Sequence, residues 1–235
     1  MSESSCKNKN IHMLWPTPIL RKKFPQYEEV NESLVKLFCE HRIADKNSDI
    51  EAPIYSSTDD LLRQYDNSSL NQLFAFISQS VFEISSTMNS EIWKNSQSKK
   101  MNMEVVGAWF QIQNGHGYHE THTHGNCAWS GVYYVQVDDN EKRESNKVLG
   151  AMNGVTRFYS HHMDVIGGGY MDSGNLYLQS TGFDSKPEEG VLCIFPAHLK
   201  HTAMPYIGLK DRIIVSFNVQ VHGDQGDAVF DYDFY

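Results

Sequence analysis

The segment from Arg212 to Val221, with the sequence RIIVSFNVQV, restricts the possible folds more than any other part of the 235-residue chain. Side chains two apart in a β-strand lie on the same face, so this segment has two very different faces. One face is wholly apolar and requires a covering layer, since it carries Ile213, Val215, Phe217, Val219 and Val221. The opposite face is predicted to line the interior of a β-structure and carries Arg212, Ile214, Ser216, Asn218 and Gln220.

Two amphipathic helices are predicted upstream, and they can supply that cover. Apolar residues recur at helical spacing within residues 28–43, where Val30, Leu34 and Phe38 lie on one face. A second helix is predicted to begin with Ser68 or Ser69 as its capping residue and to keep a helical period of apolar residues from Leu70 to Ile92.

Short β-rich runs separated by Gly, Asn and Asp begin at Met103 and predict a sandwich or barrel. The predicted strands are residues 104–113, 128–137, 154–159, 175–178, 191–195 and 212–221, with an edge strand or extended arm within residues 11–24 and a charged hairpin loop at 138–147. We therefore expect a mainly β protein with a jelly-roll-like core covered by N-terminal helices. A single domain is expected over residues 1–235, with an arm and helical layer to residue 102, a β core over 103–222 and a tail over 223–235.

A cluster of histidines precedes one of the predicted strands. Four histidines lie within the nine residues from His116 to His124, together with Glu120. In a strand, Glu120, His122 and His124 would share one face and His119 would lie on the other. Imidazoles repeated at H-x-H spacing on one face can bind a single first-row metal ion, whereas a polar loop with surface histidines is the alternative interpretation.

The C-terminal part of the chain can complete such a site. A predicted strand runs into Pro196 and is followed by a turn that carries His198 and His201, and Arg212 follows eleven residues after His201. An arginine that faces the interior costs free energy unless it meets an anion. A structural Asp or Glu partner would satisfy Arg212, and so would a bound carboxylate ligand held by two hydrogen bonds.

The charge and the composition indicate which partners and which cellular location to expect. The net charge of −9, without a compensating basic block, argues against a nucleic-acid partner. No run approaches the roughly 18 apolar residues of a membrane span, and no apolar signal region is present at the N-terminus. The four cysteines are scattered, as in proteins of a reducing compartment, so a cytoplasmic location is predicted.

The order and spacing of these segments resemble those of the iron(II)/2-oxoglutarate-dependent oxygenases, in particular a group from phages and bacteria with an H-x-H…H…R pattern. The resemblance covers most of the chain and includes LWPTPI, NGHGY, the H-x-H pair, SGVYYV, EGVLCIFPAHLKHTAMPY and RIIVSFN. It implies a double-stranded β-helix of the jelly-roll or cupin type. It also implies a dioxygenase that uses Fe(2+), 2-oxoglutarate and O2, releases succinate and CO2, and oxidises a small molecule, amino acid or peptide. A homodimer is left open.

The resemblance also implies roles for particular residues. His122 takes the position of the first iron ligand and His201 that of the distal one. Arg212 matches the basic residue that pairs with the far carboxylate of 2-oxoglutarate, and Tyr134 stands where related hydroxylases place a tyrosine on the same carboxylate. Asn218, on the face of Arg212, is a further candidate for binding 2-oxoglutarate.

One position departs from the pattern of the superfamily. His124 stands where an Asp or Glu ligand is usual, so a three-histidine metal site is predicted, one unit of charge more positive than a site with a carboxylate. Glu120 is the rival ligand, because strand alternation places it on the face of His122 and it would restore two histidines and one carboxylate. Five further residues are candidates for supporting the metal ligands or contacting the substrate: Trp109, Gln111, His119, Trp129 and His198.

Two other functions are compatible with parts of the sequence. A cupin-like three-histidine dioxygenase that does not use 2-oxoglutarate would suit the H-x-H pair. However, Ala128 and Trp129 occupy the places where such enzymes carry a glutamate, and Arg212 would have no role. A non-catalytic β-sandwich that binds a carbohydrate or a protein would retain only a vestigial metal site, and its tryptophans and tyrosines would form the binding surface.

Overall fold

Two antiparallel sheets pack face to face in the computed structural model, which describes residues 17–90, 101–160 and 182–223. Ten strands are found in these ranges. Their bounds are β1 (Leu20–Lys23), β2 (Ile54–Ser56), β3 (Met101–Gln113), β4 (Gly117–His122), β5 (Trp129–Gln136), β6 (Thr156–Tyr159), β7 (Gly182–Ser185), β8 (Val191–Pro196), β9 (His201–Tyr206) and β10 (Arg212–Gly223). The larger sheet has the order β1–β8–β5–β10–β3–β2, and the smaller one has the order β4–β9–β6–β7. This architecture confirms the predicted mainly β fold with a jelly-roll core.

Helices cover the outer face of the larger sheet, as predicted. The helices within the described ranges are α1 (Tyr27–Ala44), α2 (Leu61–Gln64), α3 (Ser68–Met88), α4 (Asn140–Glu144) and a 3-10 turn at Gly150–Met152. Buried side chains of α1 and α3, including Leu34 and Ile77, form one apolar cluster with residues of β3, β5, β8 and β10. None of these helices is both long and apolar enough to cross a membrane.

Strand β10 divides the interior into two compartments. Its residues Ile213, Val215, Phe217 and Val219 are fully buried in the cluster beneath the helices. Ile214, on the opposite face, belongs to a second cluster between the two sheets, together with Tyr134, Phe158 and Phe195. The predicted division of this segment into two faces is therefore confirmed. The inner face of β10 borders the space between the sheets.

Several short elements differ from the sequence-based prediction. Strands β2, β4, β7 and β9 were not predicted, because none of them carries a continuous apolar run or a full apolar alternation. His201 begins strand β9 and does not lie on a turn. The charged stretch 138–147 contains the short helix α4, whose first turn is capped by the Asp139 side chain. The strand predicted at residues 175–178 lies outside the described residues.

The N-terminus of α3 offers a test of local stability. The Asn67 side chain accepts hydrogen bonds from the backbone N–H groups of Ser69 and Leu70, at 2.9 and 3.1 Å. Asn67, and not the predicted Ser68 or Ser69, is therefore the capping residue. We expect Asn67→Ala to lower the free energy of unfolding by about 1 kcal/mol in urea denaturation, because those two donors lose their partner. Ser68→Ala is the matched control and should have little effect; an equal loss in both variants would contradict the assignment.

Candidate metal centre

Three imidazoles meet where the ends of β4 and β9 face the interior. His122 ends β4 and lies opposite His201, the first residue of β9, in the antiparallel register. His124 lies two residues beyond β4, where its backbone N–H donates to the carbonyl of Ala197 at 2.9 Å. Each of the three residues offers a ring nitrogen, and these nitrogens all lie within 4.8 Å of one another.

The hydrogen bonds of the rings orient them for binding a metal ion. Nδ1 of His122 lies 2.6 Å from the carbonyl oxygen of Glu120, and Nδ1 of His201 lies 2.9 Å from that of Leu199. Metal-binding histidines commonly donate one ring N–H to a carbonyl in this way, which leaves the other nitrogen as the ligand. Nε2 of His124 lies 3.4 Å from Nε2 of His201. Two nitrogens that are each about 2.1 Å from one ion are separated by roughly 3.0–3.4 Å, so the pair from His124 and His201 has the spacing of two ligands of a shared metal.

Burial keeps two of these rings neutral. Desolvation, with a smaller contribution from His122, lowers the pKa of His124 to about 4. Burial likewise lowers the pKa of His201 to about 4, although the carbonyl of Leu199 opposes the shift. At neutral pH both imidazoles therefore present a lone pair rather than a second proton, which is the form that binds a metal.

The predicted division of the histidine segment between two faces is wrong. His119 and His122 both line the cavity between the sheets, whereas the Glu120 side chain is exposed and does not. The register of β4 against β9 shifts between His119 and His122, which breaks the alternation that the sequence alone suggests.

Removal of the Glu120 carboxylate tests this geometry. We expect Glu120→Gln to change the affinity for iron(II) less than about twofold, because only the backbone carbonyl of Glu120 contacts His122. Anaerobic competition with a chromogenic chelator measures this affinity. A loss of affinity comparable to that of a histidine variant would instead make Glu120 a ligand.

Arg212 lines the same cavity and is only 1% exposed. Its Nη1 donates to Oε1 of Gln113 at 2.7 Å, and its guanidinium lies over the ring of Tyr134 at 5.3 Å. Nε and Nη2 are buried without any hydrogen-bond partner. Within the described ranges no carboxylate forms an ion pair with Arg212, so the structural Asp or Glu considered above is not found there. Two unpartnered donors of a buried cation are the arrangement that an anion would complete.

The cavity has a volume of about 270 Å³ and brings together some of the predicted residues but not others. Trp109, Gln111 and His119 line it, in addition to the three histidines and Arg212. His198 is exposed, and Trp129 packs against the cluster beneath the helices; neither lines the cavity. Asn218 also lies outside the lining, but it accepts a hydrogen bond at 2.9 Å from Ser130, which does line the cavity.

Two residues near Arg212 were not predicted from the sequence. The hydroxyl of Tyr134 lies 2.9 Å from that of Thr156, and Thr156 rather than Tyr134 lines the cavity. Gln113 is 1% exposed, binds Arg212, and donates a hydrogen bond to the carbonyl of Gly117. Gln113 ends the strand that pairs with β10, directly opposite Arg212, and no local feature of the sequence indicates that pairing.

Comparisons with known proteins are consistent with this geometry. The model of a family described as "Putative 2OG-Fe(II) oxygenase" matches residues 107–218, a range that includes the three clustered histidines and Arg212. No curated protein sequence matches the chain. A solved structure of a prolyl-4-hydroxylase from Pseudomonas putida is similar, with a TM-score of 0.52, 12% identity, and coverage of 87% of this chain and 93% of that one. The non-heme alpha-ketoglutarate-dependent epimerase SnoN from nogalamycin biosynthesis is also similar, with a TM-score of 0.56, 8% identity, and coverage of 86% and 76%. At these identities the structural likeness establishes the fold alone.

Proposed function

We propose that this protein, an iron(II)/2-oxoglutarate-dependent oxygenase by its family match, binds Fe(2+) through His122, His124 and His201 and binds 2-oxoglutarate through Arg212. The observation that carries the proposal is the pair of unpartnered donors on Arg212, in the cavity that also contains the three converging imidazoles. Such a cavity offers one end to a metal and the other to a carboxylate. A cupin-like enzyme without 2-oxoglutarate would leave that buried cation uncompensated, and a non-catalytic protein would have no use for either end.

Iron(II), 2-oxoglutarate and O2, when bound, supply the oxidising power of the reaction, with release of succinate and CO2. The substrate that we propose is a small molecule, an amino acid or a peptide, which is hydroxylated or otherwise oxidised. The protein contributes orientation, the exclusion of water and a fixed distribution of charge.

The three histidines would hold the metal without neutralising any of its charge. A site with one carboxylate ligand would be one unit less positive than this one. The greater positive charge favours an anionic co-substrate over water at the positions that the protein leaves open. It also shifts the redox poise of the metal relative to a site with a carboxylate.

Arg212 would orient the co-substrate by binding its far carboxylate. A guanidinium that is already held by Gln113 loses little rotational freedom when it binds, which favours a bidentate contact through Nε and Nη2. The Tyr134 ring over the guanidinium and the buried surroundings exclude water, so this charge pair is stronger than it would be at the surface. A dicarboxylate with a keto-acid end would thus extend from Arg212 towards the histidines.

The proposal is tested by incubating the iron-reconstituted protein with 2-oxoglutarate and O2 in the presence of amino acids, short peptides and small metabolites. We expect conversion of 2-oxoglutarate to succinate, stimulated by at least one substrate class and absent from metal-free protein. If no 2-oxoglutarate is consumed under any condition, and its addition leaves the spectrum of the metal site unchanged, the proposed function is wrong.

A further inference from the structure

We infer that His119 donates a hydrogen bond to 2-oxoglutarate between the metal-binding histidines and Arg212, an inference that rests on the proposed co-substrate. The Nε2 atom of His119 is buried and has no hydrogen-bond partner. Its side chain lines the same cavity as Arg212 and the three histidines. His119 does not belong to the cluster of possible metal ligands, and its ring lies 6.3 Å from that of His122. The metal would therefore not supply the missing partner of this Nε2 atom.

The course of β4 places His119 between the two ends of the cavity. The strand begins at Gly117, whose carbonyl accepts a hydrogen bond from Gln113, the residue that binds Arg212. It ends at His122, opposite His201. Residues along a strand advance by about 3.3 Å each, so His119 lies roughly 7 Å from the Gly117 end and 10 Å from the His122 end. We therefore expect a molecule that joins Arg212 to the metal to run beside this side chain.

The neighbouring strands place two further cavity-lining residues beside His119. Ala203 of β9 lies opposite His119 on one side and opposite Thr156 of β6 on the other. All three residues line the cavity. The small methyl group of Ala203 therefore separates the hydroxyl of Thr156 from the imidazole of His119 along one wall of the cavity. Together with Arg212, these groups match a chain that carries a carboxylate at each end.

A buried histidine nitrogen without a partner is costly, which distinguishes this arrangement from ordinary packing. A buried polar group without a partner lowers the free energy of unfolding by roughly 1–3 kcal/mol, and an apolar residue of similar volume would avoid this loss. Phenylalanine would fill the space of the ring, whereas glutamine would retain an N–H at a similar reach. The pair His119→Phe and His119→Gln therefore separates a packing role from a hydrogen-bonding role.

The experiment is calorimetric titration of 2-oxoglutarate into the full-length protein loaded with Zn(2+), in which binding is measured without turnover. We expect His119→Phe to weaken binding about tenfold or more, as for a lost hydrogen bond to a charged group. His119→Gln should stay within about threefold of wild type. The affinity for the metal should be unchanged in both variants, and the exposed neighbour Glu120→Gln serves as the matched control. His119→Leu replaces the phenylalanine variant if thermal melting shows that the latter does not fold.

Two outcomes would overturn the inference while leaving the proposed function intact: binding by His119→Phe that equals wild type, or an equal loss in the phenylalanine and glutamine variants. If the wild-type protein binds zinc but not 2-oxoglutarate, the proposed function itself fails, and the inference fails with it.

Discussion

Replacing Arg212 with leucine should raise the concentration of 2-oxoglutarate needed for half-maximal binding by about 100-fold or more. The reason is that the bound carboxylate would lose a buried cationic partner that holds it by two hydrogen bonds. Losing such a partner weakens the free energy of binding by several kcal/mol. Binding of iron(II) should remain within about twofold of wild type, because Arg212 is a cation and does not belong to the cluster of possible metal ligands. Titration of 2-oxoglutarate into the metal-loaded, oxygen-free variant measures the first effect, and chelator competition measures the second.

The lysine variant is the control for charge alone. Arg212→Lys retains the positive charge but cannot keep both the contact with Gln113 and two parallel hydrogen bonds to a carboxylate. We expect it to bind 2-oxoglutarate with an affinity between those of wild type and the leucine variant. Unchanged 2-oxoglutarate affinity in Arg212→Leu, in a folded protein, would mean that Arg212 binds something else.

Replacing His201 or His124 with alanine should weaken iron(II) binding by at least about 100-fold and abolish the consumption of 2-oxoglutarate. Loss of a residue that merely supports a metal ligand already costs about 10–100-fold in affinity, so loss of a ligand should cost at least as much. The carbonyl of Leu199 that holds Nδ1 of His201 shows that this ring is oriented in advance, which adds to the expected loss.

An exposed histidine of the same segment serves as the matched control. His116 is exposed and adopts a positive φ of 66°, a conformation that asparagine tolerates well. His116→Asn should leave iron binding unchanged. If His124→Ala retained wild-type iron affinity while Glu120→Gln lost it, the ligand set would be two histidines and a carboxylate.

The sequence predicted the parts of the site that follow from periodicity. The alternation in β10 correctly placed its apolar face beneath the helices and Arg212 in the interior. The H-x-H pair and the distant His201 were correctly expected to lie close together. The two faces of β10 are encoded locally, because one residue type at one spacing determines which face a side chain takes. The closeness of His201 to the H-x-H pair was expected from the family resemblance, since it depends on the pairing of β4 with β9.

The remaining features depend on pairing between distant strands. Glu120 was placed beside His122 because the irregular register between β4 and β9 has no local signature. Thr156 lies beside Tyr134 only because β6 and β5 belong to facing sheets. The roles of Gln113 and Ala203 likewise depend on which residue stands opposite them in the register. These pairings between distant strands cannot be predicted from a single sequence.

Anaerobic titration of metal-free protein with iron(II), followed by 2-oxoglutarate, tests the central claim most directly. We predict that binding saturates at one iron per chain and that 2-oxoglutarate then changes the visible absorption of the iron site. The same change should occur in Glu120→Gln and be absent from Arg212→Leu at the same concentration. Failure to bind stoichiometric iron, or an iron spectrum that saturating 2-oxoglutarate leaves unaltered in the wild-type protein, would contradict the claim.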